Sequence, residues 1–188
     1  DIPLPVMDYQ ELEEIHQKRI GELKTRIIHE KSGAITITTL VKMGNLVEEL
    51  KVLSAEKNPF AIVMGTKGAG FVQRLLVGSS TLSVLRNITA PVLVVPPDAS
   101  FRAIRHIGFA CDFQKIEETT PVSIIKEWVS TFQARLSVLN VDSNKANVRD
   151  TAQQSVLLYT LLQDLHPQYS YIDNPVVEAG ISLFAEDN

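Results

Sequence analysis

The sequence predicts an α/β fold built on parallel strands, and three observations carry that reading. Short apolar runs rich in β-branched residues alternate with longer stretches whose apolar residues recur at helical spacing. One run, Ala61-Ile62-Val63-Met64, is apolar on both faces, as a parallel strand covered by helices on each side must be. It leads straight into glycines, then a helical stretch, then a second apolar strand from Pro91 to Val95, which makes half of an α/β unit.

Taken in order, Asp8 opens a helix with Glu11 as its capping-box partner, and Leu12, Ile15, Leu23 and Ile27 form an apolar stripe to about Glu30, where Ser32-Gly33 ends it. Ala34 to Val41 is rich in β-branched residues and reads as a strand. Gly44-Asn45 turns the chain into a helix that Asn45 caps, with Glu48 at the third position and Leu46, Val47, Leu50 and Leu53 facing inward. After the glycine stretch, Leu82, Val84, Leu85 and Ile88 follow at helical spacing, and Pro96-Pro97 closes the Pro91–Val95 strand. The pattern then restarts. Ile104 to Ala110 reads as a strand, Cys111-Asp112-Phe113 as a turn, and Thr120-Pro121 as the start of a helix with the stripe Val122, Ile125, Trp128, Val129 and Phe132. Leu136 to Val141 is the next strand, a leucine-rich helix stops at His166-Pro167, Gln168 to Ile172 is a short strand, and Asn174-Pro175 opens a last helix through Phe184.

Composition limits the function classes. A chain of 188 residues with 45% hydrophobic content builds one large or two small cores and is no disordered tail. A net charge of -4 and a pI near 5.6 provide no basic field, which argues against nucleic acid as a partner. No apolar run exceeds a strand's length and no signal-peptide pattern occurs, so no membrane association is expected. A single cysteine, Cys111, excludes an internal disulfide framework and suits a cytoplasmic setting, where the Asn87-Ile88-Thr89 sequon has no role. The first residue is Asp1 rather than Met, so the natural start is expected to lie elsewhere.

The glycine stretch carries the functional argument. Gly65, Gly68 and Gly70 let backbone amides turn toward one point and let a bulky ligand approach. Gly78, Ser79, Ser80 and Thr81 then place free amides and hydroxyls at a helix N-terminus, which favours an anion. The alternative is that the glycines only shape a tight turn. The spacing Gly65-x2-Gly68-x9-Gly78-Ser79 resembles the ATP-binding signature of the universal stress protein family, and APVLVVP resembles that family's last strand. Residues 34 to 97 follow the family order almost without a gap. The resemblance implies a Rossmann-like parallel-sheet fold of the adenine nucleotide alpha hydrolase type.

A repeat supports a tandem arrangement. Ala185-Glu186-Asp187-Asn188 parallels Ala55-Glu56-Lys57-Asn58, Val177-Glu178 parallels Val47-Glu48, and Leu183 parallels Leu53, all at the offset 188 minus 58. Residues 1–98 then read as the back half of a first universal stress protein repeat, and 99–188 as the front half of a second. Each is expected to be incomplete at one end.

By the same resemblance, Met64, Gly65, Gly68, Gly78, Ser79, Ser80 and Thr81 stand where family members contact the base edge, ribose and phosphates of ATP, with the hydroxyls of Ser79 and Thr81 as added donors. Lys67 could add charge, although a loop lysine is commonly just solvated. Asp112 occupies the place of the family's aspartate at the end of its first strand, or else it caps the turn after its strand. Asp112 and the glycine loop belong to different repeats. No catalytic residues are assigned: the paired glutamates lie on helix faces or turns, the four histidines lack a second ligand at metal spacing, and neither GxxxxGK[ST] nor GxSxG occurs. The expected function is an ATP-binding stress-response regulator without efficient turnover. Alternatives are a scaffold that binds no nucleotide and pairs with itself through the edge strand Pro91 to Val95, or a slow ATPase.

Overall fold

Asn45 shows how local chemistry starts an element: its side-chain oxygen accepts from the amides of Val47 and Glu48, satisfying donors that no helical carbonyl can reach. The computed structural model describes residues 8–31, 35–66, 78–97, 99–141 and 148–188. The chain divides into two compact units, 1–97 and 98–188. Both are mixtures of helices and parallel strands, a Rossmann-like α/β architecture.

In the first unit, helix α1 (Tyr9–Glu30) precedes α2 (Leu46–Lys57), strand β1 (Ile62–Gly65), helix α3 (Ser79–Asn87) and strand β2 (Val92–Val95). Strands β1 and β2 pair in parallel, with Val63 opposite Leu93 and Gly65 opposite Val95. Helix α3 packs against α2 and β2, and its Val84 is fully buried.

Several expectations need correction in this unit. Asp8 stands at the N-cap of α1 but makes no capping bond, and Leu46 is exposed although Val47, Leu50 and Leu53 are partly covered. Residues 35–43 join no sheet. Their burial nevertheless alternates, since Ile37, Thr39 and Val41 are half-buried while Thr36, Thr38 and Leu40 are exposed. Propensity prepares a strand, but only a neighbouring backbone completes one, and the described strands of this unit pair with each other. The expectation that β1 is covered on both faces also fails. Val63 is 64% exposed, and its register partner Leu93 lies on the same face and is exposed as well.

The second unit contains strand β3 (His106–Ala110), a short helix α4 (Ile116–Thr119), helix α5 (Val122–Phe132), strand β4 (Arg135–Val141) and helix α6 (Val148–Leu162). One 3-10 turn (Gln163–Leu165), strand β5 (Gln168–Ile172) and helix α7 (Val177–Asp187) follow. The strands form one parallel sheet in the order β3-β4-β5. Central β4 is buried from Leu136 through Asn140, which only a strand covered on both faces achieves. On one face Leu136 and Val138 join Ile125 and Val129 of α5 and Leu158 and Leu162 of α6 in a single apolar cluster. On the other face lies α7. A Cβ on its Gly180 would stand 2.5 Å from Val141 Cγ1, and its Phe184 ring meets His106 edge-on.

Helix α4 was not foreseen. It follows a turn in which Phe113 and Lys115 both take positive φ, and it plugs the core with a fully buried Ile116 whose amide donates to Gln154 Oε1. The last helix starts three residues later than Asn174: Asn174 Oδ1 accepts from the Val176 amide, and the helix runs to Asp187 rather than Phe184.

Candidate functional site

The ladder between β1 and β2 locates the end of the glycine-bearing strand. The amides of Ile62 and Thr66 donate to the carbonyls of Pro91 and Val95 at 2.8 and 3.0 Å. With the two-residue period of a strand, the polar groups of Val63 and Gly65 therefore face the opposite edge. Met64 is half-buried, Gly65 is exposed, and a Cβ placed on Gly65 would meet nothing within 4 Å among the described residues.

Helix α3 begins next to that strand end. Its first intrahelical bond runs from the Leu82 amide to the Gly78 carbonyl at 2.9 Å, so the amides of Ser79, Ser80 and Thr81 precede it, and the N-cap residue, Gly78, has no side chain with which to cap them. Such amides carry the positive end of the helix dipole. Ser79 and Ser80 are exposed. Thr81 differs from the expected free donor: it is 3% exposed, and its hydroxyl donates to the Gly65 carbonyl at 3.1 Å. Gly65 and Thr81 are thus brought together, whereas Lys67, Gly68 and Gly70 lie outside the described residues.

Within residues 2–96 these elements stand in the order and spacing of a known family model, that of the universal stress protein family. The match covers more than half of the chain. The chain belongs to the universal stress protein family. No curated protein matches it at a significant level.

The second unit of this universal stress protein holds the other expected residue. Asp112 follows β3, is exposed, and accepts from the Gln114 amide at 2.9 Å through Oδ1. It lines a cavity of about 390 Å³ at the C-terminal ends of β3 and β4, beside Ala110, Thr119, Val141, Val177 and Ile181. Sequence reasoning missed the part that α7 and Thr119 play in this wall, because α7 reads locally as a helix with no stated neighbour. Thr119 secures the turn by sharing its single hydroxyl proton between the carbonyls of Gln114 and Lys115, both at 3.1 Å. Asn140 secures the strand end by donating to the Cys111 carbonyl at 2.8 Å.

Cys111 borders the same cavity. Burial pushes its thiol above the usual range, partly offset by the bond from the Phe113 amide and reinforced by the charge of Asp112. A raised folded value means that the native state holds the thiol proton more tightly than the unfolded chain does. The associated stability is fully present below the unfolded thiol's pKa and is lost as pH rises through the folded one. Iodoacetamide at pH 8 is therefore expected to modify the native protein more slowly than the urea-unfolded chain, since the thiolate is the nucleophile. Equal rates would contradict this. Among the described residues no group of three or more His, Cys, Asp or Glu side chains could hold a metal ion, and no helix is long and apolar enough to cross a membrane.

Proposed function

We propose that this universal stress protein is a cytosolic regulator that binds an adenine nucleotide, ATP in the first instance, without efficient turnover. The observation that carries the reading is the juxtaposition of an open strand end at Gly65 with the uncapped start of α3 at Ser79, held by the Thr81 bond. Helix N-terminal amides beside a glycine-bearing strand end stabilise phosphate oxygens. The exposed hydroxyls of Ser79 and Ser80 add donors there. Asp112, at the mouth of its own cavity, is the matching group for ribose hydroxyls in the second unit.

Element positions also favour two related units. Helices α2 and α7 end at Lys57 and Asp187, at the offset by which the sequence repeats.

Calorimetric titration of the full chain with ATP, beside a Gly68→Val/Gly78→Val double variant, tests the reading. Saturable binding by the wild type and a loss of about tenfold or more in affinity in the variant, at unchanged helical circular dichroism, is expected. Indistinguishable titrations would overturn it.

The exposed apolar pair Val63 and Leu93 favours a second reading, self-association through the Pro91–Val95 strand, whose outer edge has no partner among the described residues. A dimer in sedimentation that Leu93→Lys dissolves, together with no response to ATP, would select it.

A further inference from the structure

Among the described residues of the first unit, Thr81 is the buried polar side chain that ties two candidate site elements together. It is 3% exposed, sits in the first turn of α3, and gives its hydroxyl proton to the Gly65 carbonyl sixteen residues earlier at 3.1 Å. Because Ile62 and Thr66 point their amides toward β2, Gly65 faces the other edge of β1, and no strand among the described residues pairs there. The Thr81 hydroxyl is the donor that the Gly65 carbonyl meets on that edge.

We infer that Thr81 is a positioning residue rather than a phosphate ligand: its hydroxyl fastens the start of α3 to the end of β1 and so sets how far the amides of Ser79 and Ser80 stand from Gly65. A hydroxyl has a single proton to give. With that proton committed to Gly65, a phosphate oxygen, which can only accept at neutral pH once ionised, gains nothing from the Thr81 side chain. Ser79 and Ser80, both exposed, keep their protons for a ligand. Threonine suits the task better than serine in one respect only: its methyl group fills buried space. The bond itself needs the hydroxyl alone.

This inference rests on the proposed nucleotide reading, and the experiment separates the two. The full-length wild type, Thr81→Val and Thr81→Ser are each titrated with ATP, and amide hydrogen exchange is followed at Thr66 and Leu82 without nucleotide, with Leu136 and Leu139 as internal references in the other unit. Valine keeps the shape and removes the proton; serine keeps the proton. The expected result is about tenfold weaker ATP binding and about tenfold faster exchange at Thr66 and Leu82 in Thr81→Val, with the reference amides unchanged. Thr81→Ser is expected to restore both. If the wild type takes up no ATP, the nucleotide reading falls and takes the positioning role with it. If the wild type binds and Thr81→Val binds equally well, the positioning role alone is overturned. Loss in both variants, without rescue by serine, overturns it too, because burial rather than the hydroxyl would then be what matters.

Discussion

Replacing Leu162 by alanine lowers the unfolding free energy of residues 98–188 by about 2–5 kcal/mol. The side chain is fully buried at the end of α6, in the cluster with Ile116, Ile125, Val129, Leu136 and Leu158. Truncation removes its transfer free energy and leaves a cavity that two helices and a sheet cannot easily close. Val156 on the same helix is 65% exposed, and Val156→Ala should stay within about 0.5 kcal/mol of wild type. Trp128, the sole tryptophan, belongs to α5 of this unit, so urea unfolding followed by its fluorescence reports the right transition. Equal midpoints for the two variants would show that the cluster does not hold the unit together.

Gly180→Ala runs against helix propensity. In an exposed helix interior the change is worth about 1 kcal/mol in favour of alanine. Here the new Cβ would stand 2.5 and 3.0 Å from the two methyls of Val141 and 3.3 Å from its Cβ. A valine side chain has no flexible far end to move aside, so α7 must lift from β4. Overpacking of this kind costs about 1–3 kcal/mol, which is expected to outweigh the propensity gain. The decisive comparison is a double-mutant cycle with Val141→Ala. In that background the clash is gone, and Gly180→Ala should become neutral or stabilising. If the glycine substitution costs the same with either residue at position 141, close approach is not the reason for Gly180.

Both effects depend on faces that local patterning describes unevenly. The α5 stripe was legible, and Ile125 and Val129 are indeed buried, because a helical period on one element reports its own apolar side. Gly180 was not legible, since a glycine inside a helical pattern says nothing about the side chain that will press against it from a strand thirty-nine residues earlier. The β-branched residues of 34–41 read as a strand, yet residues 35–41 form no described strand. Apolar content on both sides of β1 suggested two covered faces, while Val63 stands exposed.

The candidate site divides in the same way. The family signature could be read from glycine spacing, and the start of α3 at Ser79 follows from Gly78 and the helical stripe beyond it. The destination of the Thr81 hydroxyl could not be read, because serine and threonine in a first turn donate to ligands, carbonyls or water with equal ease. Its partner is Gly65, on another element.

What the sequence by itself determined is local and familial: the kinds and order of most elements, the Asn45 cap, and membership of the universal stress protein family. These depend on residues within a turn or two of each other or on a spacing read along the chain. The tertiary structure alone decided which strands found neighbours, which faces were buried, that Gly180 must lack a side chain, and that Thr81 turns inward. Pairing and burial are set by surfaces far apart in the chain, and the free energy of each contact depends on the atoms that arrive from the other side.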